Sequence, residues 1–120
     1  MTAEHDATPP SAGDLAWADL RPWRGREKGG VRPVVVLTDH DYHLRSETAI
    51  VCLVTSDVKP WPTKVMLPQG LPVRGAVLVD QVRTLDRRAR GFRLIGRLPD
   101  EVMAEIRGKL AALTGISAVS

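Results

Sequence analysis

Residues 32–38 read Arg-Pro-Val-Val-Val-Leu-Thr, and this run decides the fold. A proline opens it, and β-branched and apolar residues follow without a polar break, which predicts a buried strand starting at Pro33. Residues 48–54, Thr-Ala-Ile-Val-Cys-Leu-Val, repeat the pattern and predict a second buried strand, with Cys52 as a small core hydrophobe. Upstream, residues 14–20 alternate around Leu15, Trp17 and Asp19, as a half-buried strand does, and Trp17 falls on its core side. Between these strands, residues 21–31 hold Pro22, Gly25, Gly29 and Gly30 and read as a long flexible loop. Downstream, strands are expected over 63–67, 75–80 and 92–98, the first two separated by Pro68-Gln69-Gly70-Leu71-Pro72. The period then changes. Val102, Ile106, Leu110 and Leu113 share one face of a helix, with Pro99 in its first turn, Asp100 and Glu101 on its positive end and Gly115 ending it.

Short strands, Gly/Pro turns and one terminal helix define a mainly β chain with a C-terminal helix, folded as a small, strongly bent barrel with that helix packed on it. The expected organisation is a mobile tail over 1–12, where Pro9-Pro10 interrupts any periodicity, and a single domain over 13–118. At 120 residues the core is thin, so a homodimer is a reasonable way to bury more. Apolar residues make up 43% and charged residues 26%, which excludes a disordered chain. No apolar run reaches the length needed to span a bilayer, and the polar opening lacks a signal-peptide pattern. A lone cysteine makes no internal disulfide and no zinc site by itself. The expectation is a cytoplasmic protein.

Charge is concentrated rather than spread. Residues 21–32 carry five basic side chains against Glu27, and residues 83–97 carry six arginines against Asp86, although the whole chain is only +3. Arginines outnumber lysines thirteen to four. The planar guanidinium fork suits bidentate contact with phosphate, so a polyanionic partner is the natural inference. Solvated faces with scattered ion pairs are the plainer reading of the same residues.

Two apparent motifs dissolve on inspection. Gly25-Arg-Glu-Lys-Gly-Gly30 has the glycines of a phosphate loop, but Val31-Arg32 follow where Lys and Ser or Thr belong, and a strand rather than a helix comes next. Asp39-His40-Asp41-Tyr42-His43 has the composition of a metal cluster, and its histidines share a face if the stretch is one helical turn. No third constellation completes a coordination sphere, and turns are ordinarily rich in Asp. The same pair would suit acid–base cleavage of RNA, since histidine titrates near neutrality. Trp23 and Trp61 sit beside prolines in loops, where each would either stack an RNA base or pack on its proline neighbours.

The segment from Gly13-Asp14 through Trp17, Asp19, Pro22, Gly25, Glu27, Gly30 and Arg32-Pro33 to Val35-Val36-Leu37 resembles the opening of the MazF/PemK family of toxin endoribonucleases. The resemblance resumes at Val54-Thr55-Ser56 with Lys59-Pro60-Trp61-Pro62, at residues 79–86 (Val-Asp-Gln-Val-Arg-Thr-Leu-Asp) and at Arg88-Ala89-Arg90-Gly91. It implies an SH3-like barrel of the PemK/CcdB type, usually a homodimer. It also implies metal-independent cleavage of single-stranded RNA without a cofactor, and inhibition by a cognate antitoxin with an acidic C-terminal segment. The family's catalytic positions fall on Arg32 and Thr55, with Glu27 and Gln81 matching positions near the RNA site. Arg24, Arg26, Lys28, Trp61, Arg83, Arg87 and Arg88 are the expected RNA contacts, the arginines of 83–97 serving either RNA or the antitoxin. Two positions depart from the family pattern. Lys64 replaces the usual Glu or His and bears on base preference, and Arg87 replaces a frequent Trp.

Chemistry on these residues is coherent. In metal-free cleavage the RNA 2′-OH attacks the adjacent phosphate, so the enzyme must stabilise charge on the phosphorane oxygens and hold the attack in line. Arg32 supplies a permanent cation and Thr55 a hydroxyl. Arginine is a poor general base, which leaves Glu27 as a candidate, although a carboxylate between Arg26 and Lys28 also reads as a structural ion pair. The same barrel also resembles that of CcdB-type gyrase poisons. A protein-targeting inhibitor and a non-catalytic RNA- or antitoxin-binding module are therefore the alternatives.

Overall fold

The computed structural model describes residues 8–21 and 30–117. Among the described residues six strands form one antiparallel sheet: β1 (Asp14–Asp19), β2 (Val31–Val36), β3 (Thr48–Thr55), β4 (Lys64–Met66), β5 (Ala76–Asp86) and β6 (Arg93–Arg97). Their order is β4-β5-β3-β2-β1-β6. A single helical turn, α1 (His40–His43), joins β2 to β3, and α2 (Asp100–Thr114) closes the chain. The expected strand at 75–80 proves longer: β5 continues through Gln81 to Asp86 and pairs with all of β3.

The apolar run in β2 is buried because the bent sheet has a core on each face. Val35 joins Leu15, Cys52, Val54, Val77, Val102 and Ile106 on the side covered by α2. Val34 and Val36 join Ala16, Ala18, Leu20, Val51, Leu85 and Phe92 on the other. Alternation in β1 is correspondingly weaker than expected, with Ala16 and Ala18 fully buried as well as Leu15. Register shifts in β1 between Leu15 and Ala16, and in the β3–β5 ladder between Cys52 and Leu53, give the sheet its bends.

Helix α2 starts as expected, with Pro99 as its N-cap and its carbonyl accepting from Val102 and Met103. It ends at Gly115 in the left-handed conformation, φ 73°. Val102, Met103 and Ile106 are buried, but Leu113 is half exposed, because the last turn runs past the sheet. Of the segment expected as a tail, the described residues 8–12 reach the body of the fold. Pro10 is buried, and its carbonyl accepts from His43 Nδ1 at 2.8 Å. No helix among the described residues is long and apolar enough to cross a membrane.

Candidate active site

Register brings Arg32 and Thr55 together. In the β2–β3 ladder Val34 faces Leu53 and Val35 faces Cys52. Continued two residues toward the strand ends, that register sets Arg32 across from Thr55, where antiparallel partners present side chains on one face. Both line one open cavity of about 380 Å³, with Trp17, Pro33, Ser56, Val73 and Arg74 among its walls. Arg32 forms no ion pair with a carboxylate among the described residues.

Thr55 is held by the turn that follows it. Its Oγ1 accepts the Asp57 N–H at 3.1 Å, which orients the hydroxyl and leaves its proton available to donate. From the other side Gly75 presses on the Thr55 carbonyl. A Cβ at Gly75 would lie 2.0 Å from that oxygen, and its φ of +134° belongs to glycine. Ala76 pairs with Thr55 in the ladder, so β5 and the loop before it fix the far wall of the cavity.

Beyond Thr55 a loop carries Trp61, and Lys64 ties that loop shut. Its Nζ donates to the carbonyls of Asp57 and Lys59, both at 2.9 Å, and lies 3.5 Å from Asp57 Oδ1. The Lys59 N–H donates to the same carboxylate, and this bond, with the nearby ammonium of Lys64, holds Asp57 below its ordinary pKa. Only 9% of the Lys64 side chain is exposed. The residue expected to bear on base preference is thus a clamp on the loop. Lys109 of α2 adds a bond to the Pro62 carbonyl at 2.6 Å. Trp61 itself is 65% exposed, so its ring is not a core residue.

The other expected residues are dispersed. Gln81 is exposed in the β5 bulge that separates Leu78 from Val82, outside the Arg32–Thr55 cavity. Arg83 is half-buried opposite Val51. Arg88 is exposed at the other end of the sheet, about 23 Å along β3 from Thr55 at the usual strand rise. Arg87, expected on an RNA or antitoxin surface, is instead 4% exposed. Its guanidinium donates to the carbonyls of His43 at 3.0 Å and Ser46 at 2.8 Å and pairs loosely with Glu47 at 3.7 Å. An arginine pinned by backbone carbonyls stitches α1 to β3 rather than facing a ligand. Glu27, Arg24, Arg26, Lys28 and Trp23 lie outside the described residues.

The two histidines are not a pair. His40 is exposed, whereas His43 is buried with both ring nitrogens engaged. The Pro10 carbonyl only accepts, so Nδ1 carries the proton, and Nε2 accepts from Thr38 Oγ1 at 2.6 Å. Burial pushes the His43 pKa down, with Arg87 and His40 adding to the effect. The buried Cys52 thiol is pushed up to about 12 for the same reason, with Asp80 contributing. Among the described residues no three His, Cys, Asp or Glu side chains are grouped to hold a metal ion.

Sequence reasoning missed three cavity residues. Trp17, read as core, does pack against the α2-side core, but it is only half-buried and also lines this cavity and a neighbouring one of about 450 Å³ formed with Arg21, Arg90 and Arg93. Ser56 and Arg74 also line the first cavity. The Val-Thr-Ser run signals Ser56, but nothing local to Arg74 signals its position, which depends on Gly75 packing against Thr55.

A permanent cation and a hydroxyl lining one open groove on a bent antiparallel sheet are groups of the kind that bind an oxyanion. Residues 11–114 match the family of PemK-like, MazF-like toxins of type II toxin-antitoxin systems, and the chain belongs to that family. It is 35% identical over 106 residues to the endoribonuclease toxin MazF of Escherichia coli K12, covering 88% of this chain and 95% of that protein. Among solved structures, MazF in a MazE-MazF crystal structure from Deinococcus radiodurans is 42% identical, covers 91% of this chain and 98% of its own, and superposes with a TM-score of 0.83. A mycobacterial endoribonuclease in complex with its cognate antitoxin shares the fold at 21% identity, 92% and 99% coverage and a TM-score of 0.76.

Proposed function

We propose that this chain is a sequence-selective, metal-independent endoribonuclease toxin that cleaves single-stranded RNA in the cytoplasm. One observation carries the site: Arg32 and Thr55, from neighbouring strand ends, face one open cavity. The 2′-oxygen forms a bond to phosphorus as the P–O5′ bond breaks, leaving a 2′,3′-cyclic phosphate and a 5′-OH. The 2′-OH gives its proton to a base, a role for which Glu27 is the candidate, and O5′ takes a proton as it leaves. Arg32 neutralises the added charge on the non-bridging oxygens and serves as the acid toward O5′, while Thr55 donates its hydroxyl to the same group. No step requires a cofactor.

The family places the chain in a toxin–antitoxin pair, and an acidic antitoxin segment complements its basic surfaces. A homodimer gives its thin core more burial. The gyrase-poison alternative is not favoured, since the curated relatives are named endoribonucleases.

The decisive assay is cleavage of a long unstructured RNA in EDTA by wild type and Arg32→Ala, with product ends mapped. Discrete cuts with 5′-OH ends are expected, falling by about 10²-fold or more in the variant, the scale of one lost oxyanion donor. Equal cutting by both folded proteins would remove Arg32 from the chemistry. No cutting by wild type would overturn the nuclease reading.

A further inference from the structure

The mechanism leaves one cation of the groove unused. Arg74 lines the Arg32–Thr55 cavity and also a second one of about 580 Å³, so it stands on the ridge between them. Its backbone is placed firmly. Gly75, the next residue, packs against the Thr55 carbonyl, and the Gly75 carbonyl accepts the Leu67 N–H at 2.9 Å, closing the loop. Arg74 is exposed and pairs with no carboxylate among the described residues. The second cavity has apolar walls from Val58, Met66 and Leu71, the first two being 57% and 41% exposed, and Gln69 adds an amide.

A cation between the reaction site and a hollow that mixes apolar side chains with polar groups matches the repeat of a nucleic-acid strand, which alternates charge with a base of apolar face and polar edge. We infer that Arg74 holds the phosphate adjoining the scissile one, and that the second cavity seats the base of the nucleotide between them. The Gln69 amide offers one donor and one acceptor face to that base's edge. Continuity selects this occupant, since Val73 and Arg74 wall both cavities and a strand leaving the reaction site passes over them. The inference rests on the RNA-cleaving reading and adds a specificity subsite to it.

The test uses the full chain and short oligonucleotides carrying a single cleavable ribonucleotide. A neutral methylphosphonate replaces each flanking phosphate in turn, and an abasic residue replaces each flanking base. At one flanking position the methylphosphonate should lower wild-type kcat/KM by roughly tenfold, the scale of a lost charge-assisted hydrogen bond. Arg74→Ala should show the same loss on the unmodified oligonucleotide and no further loss at that position, because the two changes remove one interaction. Arg74→Lys, which keeps the charge, should recover part of the rate. Gln69→Ala should flatten base preference at the neighbouring nucleotide in a map of cuts on long RNA. Wild-type rates for Arg74→Ala, or losses that multiply, would overturn the inference while leaving the nuclease intact. Loss of antitoxin binding alone would also overturn it and assign the ridge to that partner. Failure of wild type to cut any RNA would instead bring down the underlying reading.

Discussion

Replacing Gly75 with alanine tests the link between backbone packing and the reaction site. The added Cβ would sit 2.0 Å from the Thr55 carbonyl oxygen and 3.0 Å from its carbon, where real Cβ contacts essentially never fall below 3.0 Å. Both atoms belong to backbone, so β3 and the loop must separate by about 1 Å, the displacement that costs a positioned group about 10²-fold in rate. The φ of +134° adds strain for any residue with a side chain. Together these predict a loss of about 3 kcal/mol and a melting temperature lowered by roughly 10 °C. Cleavage should fall in parallel, measured well below the new melting temperature so that unfolding does not account for it. Gly108 supplies the control. It lies within α2, and a Cβ added there would meet nothing within 4 Å, so Gly108→Ala should stabilise by about 0.5–1 kcal/mol with activity unchanged. A Gly75→Ala protein with wild-type melting temperature and cleavage would refute the claim that this contact sets Thr55.

Three further outcomes are expected. His43 is held neutral with a depressed pKa, so its contribution is complete above the unfolded value near 6.5 and is lost as pH falls through the lower folded one. Urea melts should therefore show stability declining below pH 6.5, and His43→Gln should flatten that decline; an unchanged slope would acquit His43. Cys52, buried with its pKa raised to about 12, should resist thiol reagents in the native protein at pH 8 and react in denaturant. Rapid native labelling would contradict its burial. Arg87→Met should destabilise by about 1–3 kcal/mol through the abandoned His43 and Ser46 carbonyls, while the salt dependence of RNA binding stays unchanged. A shallower salt slope would return Arg87 to the phosphate contacts.

The strands over Val34–Val36 and the long run ending at Thr55 were legible because their composition admits little else: continuous β-branched segments bounded by turn residues. Helix α2 was legible from its period, and its end from Gly115. Arg32 and Thr55 were legible only through the family's motifs, since an arginine opening a strand and a threonine ending one are locally unremarkable. The arginines of 83–97 show the limit most clearly. Composition marked them all as cations, but burial of Arg87 against two carbonyls and exposure of Arg88 beside it depend on which side of β5's end meets α1. Lys64 is similar, its ammonium being spent on loop carbonyls brought near by the turn after Thr55.

What this sequence determines by itself is therefore local: where strands and the helix form, which residues carry charge, and which family motifs they spell. Tertiary structure alone decided that β5 runs on past Asp80 to pair with all of β3, that Gly75 wedges against Thr55, and that Arg74 joins Arg32 on one groove. The physical reason is that these facts depend on contacts between residues far apart in the chain, set by register and close packing, which no local pattern of side chains encodes.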